Sequence, residues 1–440
     1  MPMKSVIRGA LLASVLFLTA TASFAANYNI VDVTNPFARK IPIAIPFFKP
    51  MEGGEAESIA SRKSSEMLES ALMFTGYFKM LDRGAYLADP QTMPIDSPGI
   101  NFRNWTGIGA ELLITGGLRE QNGQLEMELR LFDTFKEQVI IGKRYSGAVE
   151  DQRRMVHKFC AEILFWLTGS RGFFDSRIAY ISTEESGNKE VYVCDFDGEN
   201  TRKITSLRSI CLSPAWSPDG GSIAFTSYKS GKPDLYIYSL ADNHSTVVAE
   251  KGLNISPAWF PTGNQLAATL SFSGDPEIYL LTGSGKIIKQ LTNDSGIDVS
   301  PTFSPDGRKM AFVSKRQGSP QIYIKNLDSG RVDRLTYNGK NNTQPEWSPK
   351  GDKILYTAIE DNQINIYVIG SDGQGLAQLT SGSGDNEGGS WSPDGSMIIF
   401  SSSRDGGDKI YVMTAFGTDQ RRLFSKPGKQ SEPAWSGNRE

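Results

Sequence analysis

The sequence predicts an α/β N-terminal domain followed by an all-β six-bladed β-propeller closed by the C-terminal strand. Three observations carry this. The octapeptide "SPAWSPDG" (213–220) returns as "SPAWFPTG" (256–263), "SPTFSPDG" (300–307), "QPEWSPKG" (344–351) and "GGSWSPDG" (388–395). A clipped copy, "EPAWSG", occupies 432–437. Residues 26–170 lack the period and mix helical with strand-like stretches.

The period holds in two residue classes. Trp216, Trp259, Phe303, Trp347, Trp391 and Trp435 follow one another at steps of 43, 44, 44, 44 and 44. Tyr192, Tyr236, Tyr279, Tyr323, Tyr367 and Tyr411 keep the same phase. Each period holds a Trp segment, a short apolar run such as "SIAFTS" (222–227), a Tyr segment such as "DLYIYSL" and an outer run such as "KQLT" (289–292). Short β-branched and aromatic runs fenced by turn residues read as strands. Four strands every 40–50 residues make a propeller blade. Ser-Pro-Asp-Gly suits a turn, because Pro presets φ, Asp bonds nearby backbone and Gly accepts positive φ. The repeated aromatics are expected to pack blade on blade, not to form a site.

The clipped copy follows from the same reading. "RIAYIS" (177–182), "EVYVCDF" (190–196) and "RKIT" (202–205) are three strands with no Trp segment ahead of them. "EPAWS" is a Trp segment with nothing after it. Joining them closes a sixth blade and removes two open edges.

The N-terminal domain, taken as residues 37–170, is read element by element. "KIPIAIPFF" (40–48) and "YFKMLD" (77–82) read as strands. Between them, residues 55–76 carry Ile59, Ala60, Met67, Leu68, Ala71, Leu72 and Phe74 at helical spacing, ended by Gly76. Residues 110–120, 124–133 and 137–147 read as three further strands. Residues 149–169 read as a helix with Met155, Val156, Phe159, Ile163, Trp166 and Leu167 inward. About 140 residues suffice for a core of their own. The propeller is taken as 171–440.

Residues 1–25 have the order of a secretory signal peptide: Lys4 and Arg8, then "ALLASVLFLTA", then Ser23 and Ala25 before the cut. The h-region is too short to span a bilayer, and no other run is long enough, so no direct membrane span is expected. Removing Lys4 and Arg8 takes the net charge from −3 to −5, which leaves no electrostatic footprint for nucleic acid. Three cysteines, Cys160, Cys194 and Cys211, exclude a disulfide framework; one bridge, Cys194–Cys211, fits an oxidising compartment without being established by spacing. Residues 26–36 form either an ordinary first strand or an arm able to pair with another protein's sheet edge.

No catalytic constellation is found. His157 lies three residues before Cys160, but two ligands do not make a metal site and a structural role is expected. His244 falls in a turn. There is no Gly-x-Ser-x-Gly elbow. "TGSGK" (282–286) lacks the first Gly of a P-loop, and no Asp spacing matches a calcium loop. Neither cofactor nor metal is expected. A propeller without such chemistry is read as a binding platform. The variable loops ahead of the Trp segments, for example "GLNIS" (252–256) and "GKNNT" (339–343), offer a ring-shaped docking face, the alternative being plain solvated turns.

The signal peptide, "IPIAIPFF" with "FTGYFKMLD", the "GFFDSRIAYIS" junction and the repeated octapeptide together resemble the TolB family, the periplasmic components of the Tol–Pal system of Gram-negative envelopes. The resemblance covers the whole chain. Departures are Thr262 for Asp, Phe303 for Trp, and Gly389 for the Pro two before Trp391. It implies a monomeric, non-enzymatic periplasmic protein acting in outer-membrane integrity and constriction during cell division. It implies an N-terminal arm that binds TolA, here Asn27, Tyr28, Asn29, Ile30, Val31, Asp32, Val33, Thr34 and Asn35. It implies a propeller rim that binds the peptidoglycan-associated lipoprotein, Pal, with Leu253, Asn254, Ser256 and Ser300 where the family's contacts lie. Repeat phase extends that set to Asn341, Asn342 and Thr343. The competing reading is an exported propeller enzyme or glycan-binding protein acting at the central channel.

Overall fold

A computed structural model describes residues 39–87, 93–382 and 384–438. The signal peptide (1–25) and the arm (26–36, including Asn27 to Asn35) lie outside the described residues.

The N-terminal sheet has strands β1 (Ile41–Ala44), β2 (Lys49–Pro50), β3 (Phe78–Met80), β4 (Leu112–Gln121), β5 (Gln124–Asp133) and β6 (Gln138–Ala148). Their order is β3-β1-β4-β5-β6, with β2 beside β4. β1 lies parallel to both β3 and β4, and β4, β5 and β6 form an antiparallel meander. The helices are α1 (Glu55–Phe74), α2 (Arg103–Thr106) and α3 (Gln152–Thr168). Gly76 (φ 77°) follows α1 and Gly169 (φ 77°) caps α3, where a side chain would be strained.

Two expectations for these helices change. Ile59 is 62% exposed; the buried face of α1 runs instead through Ala60, Ser64, Leu68, Ala71 and Leu72. Small residues there let α3 come close, and the Gln152 side-chain amide donates to Ala60 O (2.7 Å) and Ser64 Oγ (2.8 Å). Secondly, only part of the domain's core is separate: a cluster around Trp105, Leu113 and Phe132 lies wholly within it, while the larger cluster is shared with the propeller. α3 is buried on both sides: Phe159, Ile163 and Leu167 join the sheet core, and the same apolar cluster continues through Phe173, Phe174 and Phe196 to Trp435, Met397 and Val412 of the propeller.

The propeller has six four-stranded antiparallel blades. Blade 1 combines Arg177–Thr183, Lys189–Asp195 and Arg202–Lys203 with the C-terminal strand Lys429–Trp435. Blades 2 to 6 begin with the inner strands Cys211–Trp216, Asn254–Trp259, Asp298–Phe303, Asn341–Trp347 and Asn386–Trp391. Closure is as expected: Ala434 pairs with Ala179 and Trp435 with Ile178.

The repeated residues do the packing. Trp216 Nε1 donates to Ala434 O and Trp259 Nε1 to Ala215 O, both at 3.1 Å, so these two rings tie to the preceding blade. Five of the six marker tyrosines lie across from an aromatic of the second strand, as in Phe225 with Tyr236 and Phe400 with Tyr411, while Tyr279 faces Ala268. The threonine of the outer run accepts a bond from the Tyr strand: Ile278, Ile322 and Ile366 N–H groups reach Thr292, Thr336 and Thr380 Oγ1 at 2.9 Å. In the turns, the Ser217 hydroxyl donates to Asp219 Oδ1 (2.5 Å) and accepts from Ser222 N (2.8 Å). Ser304 and Ser392 repeat this arrangement.

Candidate protein-docking face

The strand directions give the ring two faces. One carries the Ser-Pro-Asp-Gly turns and the turns before the outer strands. The other carries the loops that lead into each inner strand. The N-terminal domain sits on the first face, over blades 6 and 1. Tyr77 lies against Asp394 and Ser396. Lys40 pairs with Asp419 at 2.7 Å, and Arg421 donates to Phe74 O at 2.7 Å. Arg153 pairs with Asp197 and, at 3.5 Å, with Asp195. The rim on the second face carries none of these contacts.

That rim is built around a repeated buried side chain at the start of each inner strand, polar in five blades and Cys211 in blade 2. Asn254 and Asn342 are both 0% exposed. Asn254 Nδ2 donates to Glu250 O at 2.9 Å, and Asn342 Nδ2 to Asn338 O (2.7 Å) and Gln321 Oε1 (2.8 Å). Asn386 and Gln430 clamp their own loops likewise. Blade 4 uses Asp298, paired with Arg316 at 2.8 Å. Asn254 and Asn342, expected as contacts, therefore point into the fold. They shape the rim loops, because their amides replace backbone partners the loops would otherwise lack.

The other expected residues are accessible. Leu253, Ser256, Ser300, Asn341 and Thr343 are all partly exposed. Leu253 N donates to Ser271 Oγ at 2.8 Å, which fixes the loop tip. Ser256 and Ser300 take φ of 53°, as do Ser213 and, near 50°, Gln344 and Glu432. Each precedes a proline at a bulge in the inner strand, a conformation non-glycine residues seldom adopt. With Gly388 they ring the mouth of the central channel, a cavity of about 170 Å³. Bonds pass from blade to blade around it: Ser213 N donates to Glu432 Oε2 (2.6 Å), and Gly388 N to Gln344 Oε1 (3.2 Å). Ile210 and Ile297, 44% and 37% exposed, occupy the rim position held by Leu253 in blade 3. Sequence reading passed over both; stacking the repeats in phase would have shown them.

The remaining candidates are structural. His157 is buried against Phe196 (centroids 5.1 Å), and burial pushes its imidazole down to about 4. Burial likewise pushes the Cys160 thiol up. His244 is exposed at the start of an outer strand. Among the described residues, no group of three or more His, Cys, Asp or Glu could hold a metal. Cys194 and Cys211 are free and occupy different cores, Cys194 beside Phe196 and Cys211 beside Trp216. The bridge left open by the sequence does not form.

Comparison with known proteins fits this architecture. Residues 165–439 match the TolB beta propeller domain and residues 29–140 the TolB amino-terminal domain. The chain belongs to the TolB family. A "Tol-Pal system protein TolB" of Desulfosudis oleivorans is 51% identical over 286 residues, 65% of this chain and 65% of that protein. A protein of the same description from Syntrophus aciditrophicus is 40% identical over 214 residues, 48% of this chain and 47% of the relative. The matches thus span between about half and two thirds of these TolB relatives. The crystal structure of TolB from Acinetobacter baumannii superimposes with a TM-score of 0.79 at 28% identity, covering 91% of this chain and 97% of that one.

Proposed function

We propose that this TolB-family chain is a non-enzymatic periplasmic adaptor of the Tol–Pal system. Its propeller rim binds the lipoprotein Pal and its segment Asn27–Asn35 binds TolA, in support of outer-membrane integrity and constriction at division. The observation that carries this is the division of the two faces. One face is occupied by the N-terminal domain at blades 6 and 1, while the described residues leave the opposite rim open, its loops at blades 1, 3, 5 and 6 held in shape by buried amides. Of the expected rim residues, Leu253, Ser256, Ser300, Asn341 and Thr343 supply contact surface, and Asn254 and Asn342 hold the loops that present it.

The test is a pull-down from solubilised envelope with the mature protein beside a form lacking residues 26–35. Pal is expected with both and TolA with the full form alone. Recovery of neither overturns the adaptor reading and leaves the channel, with its exported-enzyme or glycan-binding alternative, as the next place to look.

A further inference from the structure

The rim departs from the symmetry of the repeat. Two positions, one on each side, flank the buried residue at the start of every inner strand, which is Cys211 in blade 2 and a polar side chain in the other five. In blades 2, 3 and 4 they are Ile210 and Leu212, Leu253 and Ile255, Ile297 and Val299. In blades 5, 6 and 1 they are Asn341 and Thr343, Asp385 and Glu387, Lys429 and Ser431. All six are aliphatic on three consecutive blades and none is on the other three. The fold does not demand this, since Asn254, Asn342 and Asn386 support the same strand start on both halves. Inner strands of consecutive blades touch, so the three aliphatic pairs form one crescent around half of the mouth. Tyr228 and Phe272, 38% and 39% exposed in the neighbouring loops of blades 2 and 3, widen it.

Charge follows the same division. The loops of the aliphatic half expose Arg208, Lys229, Lys251 and Lys315 against Glu250 and Asp275. The loops of the polar half expose Glu185, Asp361, Asp385 and Asp405 against Lys340 and Lys429. Exposed apolar side chains with a charged border mark a contact surface, and the sign of the border selects its partner.

We infer that the docking surface is the crescent of blades 2 to 4, and that its occupant is an apolar segment of the lipoprotein partner flanked by acidic residues. This rests on the adaptor reading above and narrows it from a ring to half of one. Buried aliphatic and aromatic anchors carry most of the affinity of such contacts, and the border sets rate and orientation. The partner then seats in one of six rotational positions.

The test is titration calorimetry of the full mature protein with the soluble domain of Pal from the same organism. Ile210→Ser/Leu253→Ser/Ile297→Ser is expected to weaken binding by about 100-fold. Glu185→Ala/Asp385→Ala/Lys429→Ala, on the other half, is expected to change it by less than about threefold. Lys251→Glu/Lys315→Glu is expected to weaken it by about tenfold at low salt, and less as salt is raised. Thermal melts of all three should match the parent, because the altered side chains are exposed or partly so. Equal loss from both halves, or greater loss from the polar half, overturns the crescent while leaving the rim reading intact. Tighter binding by the charge-reversed variant overturns the acidic border of the partner. Parent protein that binds no Pal overturns the adaptor reading itself, and the crescent with it.

Discussion

The turn face and the rim face of the propeller are built from the same six repeats, yet they keep the repeat to different degrees. On the turn face Ser217, Ser304 and Ser392 make the same bonds to the same neighbours. On the rim the residue at the clamping position itself varies, with Asn in blades 3, 5 and 6, Asp298 with Arg316 in blade 4, Gln430 in blade 1 and Cys211 in blade 2. The flanking residues vary further, into two chemical halves. Where a repeat is held by packing and buried hydrogen bonds, a change costs stability in every blade. Where the side chain meets solvent, a change costs little and is free to serve a partner. Identity across blades marks structure, and orderly departure from it marks contact.

The strongest way to break this comparison is at the closure. Deleting residues 432–440 removes Trp435, which is buried among Phe173 and Ser176 and joins propeller to N-terminal domain. Loss of a buried Trp costs about 3–5 kcal/mol. In a protein of this size that lowers the melting temperature by about 4–6 °C, before the opened edges of blade 1 are counted. A calorimetric melt that does not move would show that the ring holds without its last strand.

A finer cut separates clamp from contact. Asn342→Ala strips Gln321 and Asn338 of a buried partner and is expected to cost about 1–3 kcal/mol. Asn342→Asp should cost more. The blade-4 counterpart, Asp298, has Arg316 beside it, but the position equivalent to Arg316 is Glu360 here, and a second carboxylate would be buried against a first. Urea unfolding of both variants checks the order. Equal stability of the aspartate variant and the parent would mean that the residue does not clamp its loop.

Much of this was legible in the sequence. The period gave the blades, the clipped copy gave the closure, and strands β4 to β6 were placed within two residues at each end. Three things were not. Ile59 looked inward because helical spacing counts apolar residues, while the packed face of α1 uses Ala60 and Ser64 for close approach. The core shared with the propeller was hidden because α3 is apolar on two sides, and only the fold says that Phe173, Phe174 and Phe196 cover the second. Asn254 and Asn342 looked like contacts because a polar residue in a loop reads as solvated, and burial there depends on carbonyls brought in from other segments. The two halves of the rim were visible in principle, at two fixed phases of the repeat, once the buried position between them is known.

The smallest effect tests the ground between the faces. Glu346 stands on the channel wall where the other blades have Ala215, Ala258, Thr302, Ser390 and Ala434. It accepts from Trp391 N (2.9 Å) and Ser390 Oγ (3.0 Å), and burial pushes its carboxyl up to about 7. A carboxyl that binds its proton more tightly folded than unfolded stabilises the fold at low pH. That contribution fades as pH rises from about 4.5 to about 7. Glu346→Gln keeps both accepted bonds and does not ionise. It should match the parent at pH 5 and exceed it at pH 8 by about 1–2 kcal/mol, less than full burial would give because channel water reaches the group. His157 slopes the other way, since its imidazole is pushed down to about 4 and its neutral form is lost as pH falls. It contributes equally to parent and variant, so the difference between them isolates Glu346. A difference that stays constant from pH 5 to pH 8 would show that this carboxyl is ionised throughout, held by its two donors against the burial that raises it.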